Sequence, residues 1–203
     1  MKKIEIIKSY YESNMGKGLP DYRVLGWESE QAQHKRFEIL HRYVALQGKK
    51  LLDVGCGMAN LYDYLIKKGV NFSYTGVDIL ESMIVSAKQK RPGAELICAD
   101  IFKHNPFEEN SFDVTYSSGI FNINMGNNKD FLIKAIELFL KLSREAVVFN
   151  LLHFKSPDKE EQYYYFNPDE IEDILEDKFS NLLDSVQIVE GYLQNDFTVI
   201  LMK

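Results

Sequence analysis

Lys50-Leu51-Leu52-Asp53-Val54-Gly55-Cys56-Gly57 is an apolar run that ends in a Gly-x-Gly turn, and Tyr74-Thr75-Gly76-Val77-Asp78-Ile79 is a second apolar run that ends in an acid. Twenty-five positions separate Asp53 from Asp78, which is room for one strand, one helix and a second strand. Glycines let a backbone turn sharply and approach a ligand closely, while an acid at the tip of the following strand accepts hydrogen bonds from a ribose diol. The two stretches together point to a nucleoside held at the end of a βαβ unit.

Outward from this unit, short β-rich runs alternate with helical patterns, the signature of a mostly parallel sheet with crossover helices. The expected strands are 50–54, 72–77, 95–99, 112–117, 146–151, 186–190 and 197–202. Leu61, Tyr64 and Leu65 fall at helical spacing after the first strand, with Lys67, Lys68 and Gly69 as a stop. Leu80, Met83, Ile84 and Ala87 repeat the pattern after Asp78, and Leu132, Ala135, Ile136 and Phe139 mark a third crossover helix. Asn167-Pro168-Asp169-Glu170 announces a fourth, running to about residue 177, through a capping Asn, a Pro at the first helical position and a Glu three residues after the cap. Only six residues join the last two strands, too few for a parallel crossover, so they form an antiparallel edge hairpin. The fold expected is α/β: a Rossmann-like, doubly wound, seven-stranded sheet preceded by N-terminal helices over about 3–13 and 30–46.

A length of 203 residues suits one domain, with 1–49 as a helical cap or lid and 50–203 as the core. Thirty acids against twenty-four Lys and Arg give a net charge of −6, which argues against a broad nucleic-acid footprint. No run approaches the roughly 20 apolar residues of a membrane span, and Met1-Lys2-Lys3-Ile4-Glu5 turns polar too soon for a signal peptide, so a cytoplasmic protein is expected. Cys56 and Cys98 lack paired spacing, which argues against a disulfide framework or zinc site and leaves both as small buried residues.

Four elements then occur in order: Leu51-Leu52-Asp53-Val54-Gly55-Cys56-Gly57-Met58-Ala59, Gly76-Val77-Asp78-Ile79, Leu96-Ile97-Cys98-Ala99-Asp100-Ile101 and Phe112-Asp113-Val114-Thr115-Tyr116-Ser117. Their order and spacing resemble the class I S-adenosylmethionine-dependent methyltransferases, with Ala59 standing where the family usually has a third glycine. The resemblance covers about three quarters of the chain. It implies S-adenosylmethionine as cofactor, with Gly55 and Cys56 presenting backbone to its methionine portion, Gly57 preserving the turn and Asp78 taking the ribose hydroxyls. It further implies Ile79 on one adenine face, Asp100 and the Ile101 backbone at the adenine amine edge, and Ser117 near the methionine end. Asp53 either holds the loop or meets the ammonium through a water. A dinucleotide dehydrogenase shares the turn and the acid, but Asn60 breaks its Gly-x-Gly-x-x-Gly.

Ser117-Ser118-Gly119-Ile120-Phe121-Asn122 lacks the Asn/Asp-Pro-Pro-Tyr/Phe motif of many methyltransferases that act on amino groups of DNA and protein glutamine. The acceptor expected is therefore a small molecule, met by Ser118, Trp27 and His153. Trp27, the only tryptophan, sits in a loop over 14–29 with three glycines and a proline, either as part of a lid or as an anchor. His153 follows the fifth strand at the edge where open α/β sheets bind ligands. His34, His41 and His104 show no metal spacing, no metal is expected, and Tyr163-Tyr164-Tyr165-Phe166 reads as a docking cluster before a capped helix. The catalytic residue and oligomeric state stay open. A non-catalytic S-adenosylmethionine-binding regulatory or scaffold module is the alternative function, and aminopropyl transfer from the decarboxylated cofactor ranks behind it.

Overall fold

The computed structural model describes residues 3–203. Its elements run α1 (Lys3–Glu12), α2 (Asp21–Val24), α3 (Glu30–Tyr43), β1 (Lys50–Val54), α4 (Asn60–Lys67), β2 (Ser73–Asp78), α5 (Glu81–Lys90), β3 (Glu95–Cys98), β4 (Phe112–Ser118), α6 (Asn128–Leu142), β5 (Ser143–Leu152), α7 (Pro168–Phe179), β6 (Ser185–Val189) and β7 (Asp196–Met202). One sheet carries all seven strands in the order β3-β2-β1-β4-β5-β7-β6. β1 to β5 pair in parallel, and chain order reverses between β1 and β4, which places a crevice beyond their C-terminal ends.

The last two strands form the expected antiparallel edge hairpin, with β6 as the edge strand and β7 between it and β5. The reason is in their composition. Phe197 to Leu201 is buried throughout, as a strand covered on both faces requires, whereas Ser185, Val186 and Gln187 of β6 are exposed.

Helices cover both faces. Leu132, Ile136 and Phe139 of α6 and Ile171, Leu175 and Phe179 of α7 pack with Val147, Phe149 and Leu151. On the other face, Phe37 and Leu40 of α3, Leu61 and Leu65 of α4, and Ile84 and Ala87 of α5 meet Leu51, Val114, Tyr116 and Val148. Removing such a side chain fully from water contributes about 1.5–3 kcal/mol.

The sequence signals act where expected. Gly69 takes φ 72°, and Gly69 N and Val70 N donate to the carbonyls of Ile66 and Leu65, a Schellman ending for α4. Asn167 Oδ1 accepts from Asp169 N at 3.2 Å and Pro168 opens α7, but Glu170 reaches across to Lys129 at 2.6 Å. α7 continues two residues past 177, and β5 begins at Ser143 directly after α6. Cys56 is buried as expected, but Cys98 is exposed because it ends the edge strand β3. Among the described residues no helix is long and apolar enough to cross a membrane.

Candidate active site

The turn after β1 is held open by backbone conformation. Gly55 and Gly57 adopt φ values of 72° and 53°, and a Cβ on Gly55 would collide with Ile120. Gly55 N and Cys56 N both donate to the carbonyl of Val77, at 2.8 and 3.1 Å, which ties the turn to the end of β2. Ala59, at the third-glycine position, still takes the left-handed conformation, φ 60° and ψ 39°. That geometry costs an L-residue about 1–2 kcal/mol, so the turn dictates the backbone even where its preferred residue is missing.

Asp78 accepts from Gly57 N through Oδ2 and from Leu80 N through Oδ1, both at 2.9 Å. It thereby joins the glycine turn to the start of α5. Burial raises its pKa, and the N–H groups of Leu80 and Gly57 pull it partly back. A carboxylate has about four lone-pair directions. One on each oxygen is left after these bonds, a complement to the two hydroxyls of a ribose.

Beside this acid lies a cavity of about 300 Å³. Its walls are mostly apolar, among them Ile79, Ile101, Ile120, Ile123, Met125 and Phe131. Among the described residues the charged side chains on it are Asp53, Asp78, Asp100 and Lys103, and Lys103 is bound to Asp100 at 2.8 Å. Asp53 is buried, accepts from the Tyr74 hydroxyl at 2.6 Å, and is pushed up to about 7 by burial. Gln33 Oε1, Asn60 Oδ1, the Tyr116 hydroxyl and Ser118 Oγ also belong to lining residues, are buried, and make no hydrogen bond of good geometry. Burial drives the Tyr116 hydroxyl well above its ordinary value, and the neighbouring Ser118 offsets only part of that.

The N-terminal segment covers the cavity. Ile4, Ile7 and Tyr11 of α1 line it and pack with Leu80 and Met83. α1 is fastened by a Tyr10–Tyr163 hydroxyl hydrogen bond and by Ser82 Oγ donating to Glu12 at 2.7 Å. Trp27 lines the cavity beside Gly119, and its ring carries the Arg36 guanidinium at 4.2 Å.

Gly55, Cys56, Gly57, Asp78, Ile79, Asp100, Ile101, Ser118 and Trp27 are thus brought to one cavity. Two candidates are not. Ser117 faces the other side of β4 and donates its hydroxyl to the Val54 carbonyl at 2.9 Å, so only its neighbour Ser118 reaches the cavity. His153 lies off the cavity wall, with Nδ1 accepting from Lys155 N at 2.9 Å and Nε2 bonded to Glu190 at 2.6 Å. The chain folds back over the end of β5, Phe166 bridging to His153, and turns that imidazole into a brace. Sequence reasoning missed Gln33, Phe37, Asn60 and Tyr116. The available signals were a glutamine on the buried stripe of α3 with Phe37 and Leu40, and a tyrosine two positions before Ser118 on the same face of β4.

A glycine turn beneath a strand-tip acid, at the switch point of a seven-stranded sheet with an inserted antiparallel β7, defines a class of nucleoside-binding α/β proteins. Residues 51–141 match the family profile described as Methyltransferase domain. A Mycobacterium tuberculosis protein named as a methyltransferase is 28% identical over 160 residues, which is 74% of this chain and 91% of that protein. Trans-aconitate 2-methyltransferase of Delftia acidovorans is 30% identical over 82 residues, but the alignment spans only 40% of this chain and 31% of that enzyme. Among solved structures, magnesium protoporphyrin IX methyltransferase from Synechocystis with bound S-adenosylmethionine shares the fold with a TM-score of 0.68 at 16% identity, covering 100% of this chain and 98% of that one. The chain is thus similar to methyltransferases in sequence, over residues 51–141 and over the length shared with the mycobacterial relative, and it shares its fold with a methyltransferase structure that holds S-adenosylmethionine.

Proposed function

We propose that this enzyme transfers the methyl group of S-adenosylmethionine to a small, uncharged, largely apolar acceptor, and that residues 3–49 act as a cap on one domain whose core is 50–203. The observation that carries the acceptor class is the charge on the cavity wall. Among the described residues three carboxylates face it, the one lysine is already paired with Asp100, and Arg36 is turned away to Asp196 beneath Trp27. An anionic acceptor would meet repulsion from the acids and, among the described residues, no free cation. Relatives are named for acceptors as different as trans-aconitate, a malonyl-acyl-carrier protein and phthiotriol dimycocerosates, so kinship leaves the acceptor to be argued from the cavity.

In this reading Asp78 holds the ribose hydroxyls with its free lone pairs, and Ile79 packs on one face of the adenine. Asp100 and the backbone of Ile101 meet the amine edge, while Gly55 and Cys56 present backbone to the methionine portion and Gly57 preserves the turn. Trp27 and Ser118 face the acceptor. The sulfonium supplies an already activated methyl, so the protein's part is orientation and exclusion of water. α1 and Trp27 provide the exclusion. Tyr116 stays protonated at neutral pH and serves as a hydrogen-bond donor rather than a base.

The test uses labelled methyl transfer from S-adenosylmethionine to matched acceptor pairs, such as alkylphenols with and without an added carboxylate. Transfer should favour the uncharged member of each pair. Preference for the carboxylated members would refute the assignment.

A further inference from the structure

Ala59 holds a left-handed backbone, φ 60° and ψ 39°, a conformation that favours glycine, at the point where the turn after β1 passes into α4. Gly57 and Asn60 line the cavity, and Met58 and Ala59 between them are buried. The peptide that joins Met58 to Ala59 is pinned at both of its polar atoms. Its N–H donates to the Cys56 carbonyl at 2.7 Å, a bond made within the turn. Its carbonyl oxygen accepts from Arg91 Nη1 at 2.6 Å, a bond made from the far end of α5. With α4 held by its packing, relaxing Ala59 toward a negative φ rotates this peptide plane and carries the oxygen off the guanidinium.

The guanidinium is itself fixed. Asp63 accepts from Nε at 2.9 Å and lies 2.8 Å from Nη2, and Asp21, shared with Lys90, lies 3.2 Å from both Nη atoms. Two carboxylates on neighbouring edges of one rigid plane aim Nη1 at the carbonyl, and the side chain is only 7% exposed. We propose that Arg91 is a positioning residue, which clamps the glycine turn in the shape that a third glycine would adopt unaided, a role that rests on the cofactor placement proposed above. The clamp acts from behind: Gly55, Cys56 and Gly57 face the cavity, and Arg91 holds the peptide that follows them. It also joins the turn to the cap. Asp21 opens α2, and Leu25 just after that helix stands where a Cβ on Gly57 would collide with it. One guanidinium therefore sets the turn and the cap against each other.

A double-mutant cycle separates this role from plain structural support. Calorimetric affinity for S-adenosylhomocysteine and urea denaturation are measured on the wild-type chain, Arg91→Lys, Ala59→Gly and Arg91→Lys/Ala59→Gly. Arg91→Lys keeps a charge for Asp63 and Asp21 and gives up the fork that reaches two acids and a carbonyl at once. Alone, it should weaken S-adenosylhomocysteine about tenfold, because the released turn drifts out of its left-handed conformation. Introduced together with Ala59→Gly, which removes the strain at that position, the same substitution should weaken binding by less than about threefold. An equal or larger loss in the Ala59→Gly background would mean that Arg91 acts through the fold and not through the turn. No loss in either background would mean that the bond to the Cys56 carbonyl suffices. Each of these results overturns the role. If Arg91→Lys alone does not fold, restored folding in the double variant supports the clamp and failure to restore it refutes the clamp. A wild-type chain that binds no S-adenosylhomocysteine refutes the proposed function instead, and the urea cycle then still reads the clamp: recovery of Arg91→Lys by Ala59→Gly keeps it, and additive losses remove it.

Discussion

Asp53 should make the ligand-free enzyme lose stability as pH rises and the cofactor-bound enzyme gain affinity over the same interval. Burial lifts its carboxyl from 3.8 to about 7, with the Tyr74 hydroxyl lowering it and Asp78 raising it further. A native pKa above the unfolded one means that the folded chain holds the extra proton between these values. Stability therefore falls with rising pH, by about 1.4 kcal/mol per unit from near pH 4 to near pH 7, and levels off above. Three units amount to about 4 kcal/mol, a large share of the roughly 5–15 kcal/mol that holds a domain together. Asp53→Asn keeps the size and can still accept from Tyr74, so urea denaturation should show it close to wild type at pH 4.5 and more stable by up to about 4 kcal/mol at pH 8. A cation lodged beside Asp53 favours the ionised form. S-adenosylmethionine should accordingly release protons on binding near pH 6, measured by calorimetry in buffers of different ionisation enthalpy, and bind more tightly at pH 8 than at pH 5.5. A stability difference between wild type and Asp53→Asn that does not change with pH, or proton uptake on binding, would refute the argument.

Three further outcomes follow from single contacts. Asp78→Ala removes the acceptor of two backbone N–H groups and of the proposed ribose bonds, and should weaken S-adenosylhomocysteine by about 1–3 kcal/mol in calorimetry. Gly119→Ala places a Cβ at φ 92° and 3.2 Å from the Trp27 ring. It should cost about 1–2 kcal/mol in urea denaturation and shift the emission of the only tryptophan. Arg36→Met leaves Asp196 buried without its cation and should cost about 3–5 kcal/mol, much of it recovered in Arg36→Met/Asp196→Leu by the same denaturation measurement.

What the sequence made legible was whatever the backbone demands locally. The glycine turn, the acid at the end of β2, the Schellman glycine and the Asn-Pro start of α7 are each fixed by neighbours within a few residues. The order β5-β7-β6 was legible too, in the run Phe197 to Met202, apolar but for Thr198, against the alternating Ser185 to Val189, had burial been weighed along with loop length. Ser117 and Ser118 turn on a single step of alternation: neighbouring strand residues face opposite ways, and strand-end position alone does not say which one the cavity takes. His153 depended on a segment folding back over β5, which no local pattern specifies. Gln33 lay in a segment that the family motifs do not cover.

The antiparallel β7 explains how strands that contribute nothing to the cavity wall still shape it. A parallel strand brings its last residues to the ligand edge of the sheet; an antiparallel one brings its first. Asp196, the first residue of β7, is in register with Leu152 at the end of β5, and it receives Arg36 from α3 in a fully buried ion pair. The other face of that guanidinium is covered by Trp27, whose ring end stands against Gly119. Burial lowers the Arg36 pKa only to about 10, so the charge persists at neutral pH and the brace with it. Taking two charges out of water is expensive, and an apolar pair would fill the space at less cost. An ion pair does what an apolar pair does not: it fixes the angle of the guanidinium plane, and through that plane the position of the tryptophan on the cavity wall. The inverted strand thus shapes the Trp27 side of the cavity from beneath, while the parallel half of the sheet carries the glycine turn and Asp78.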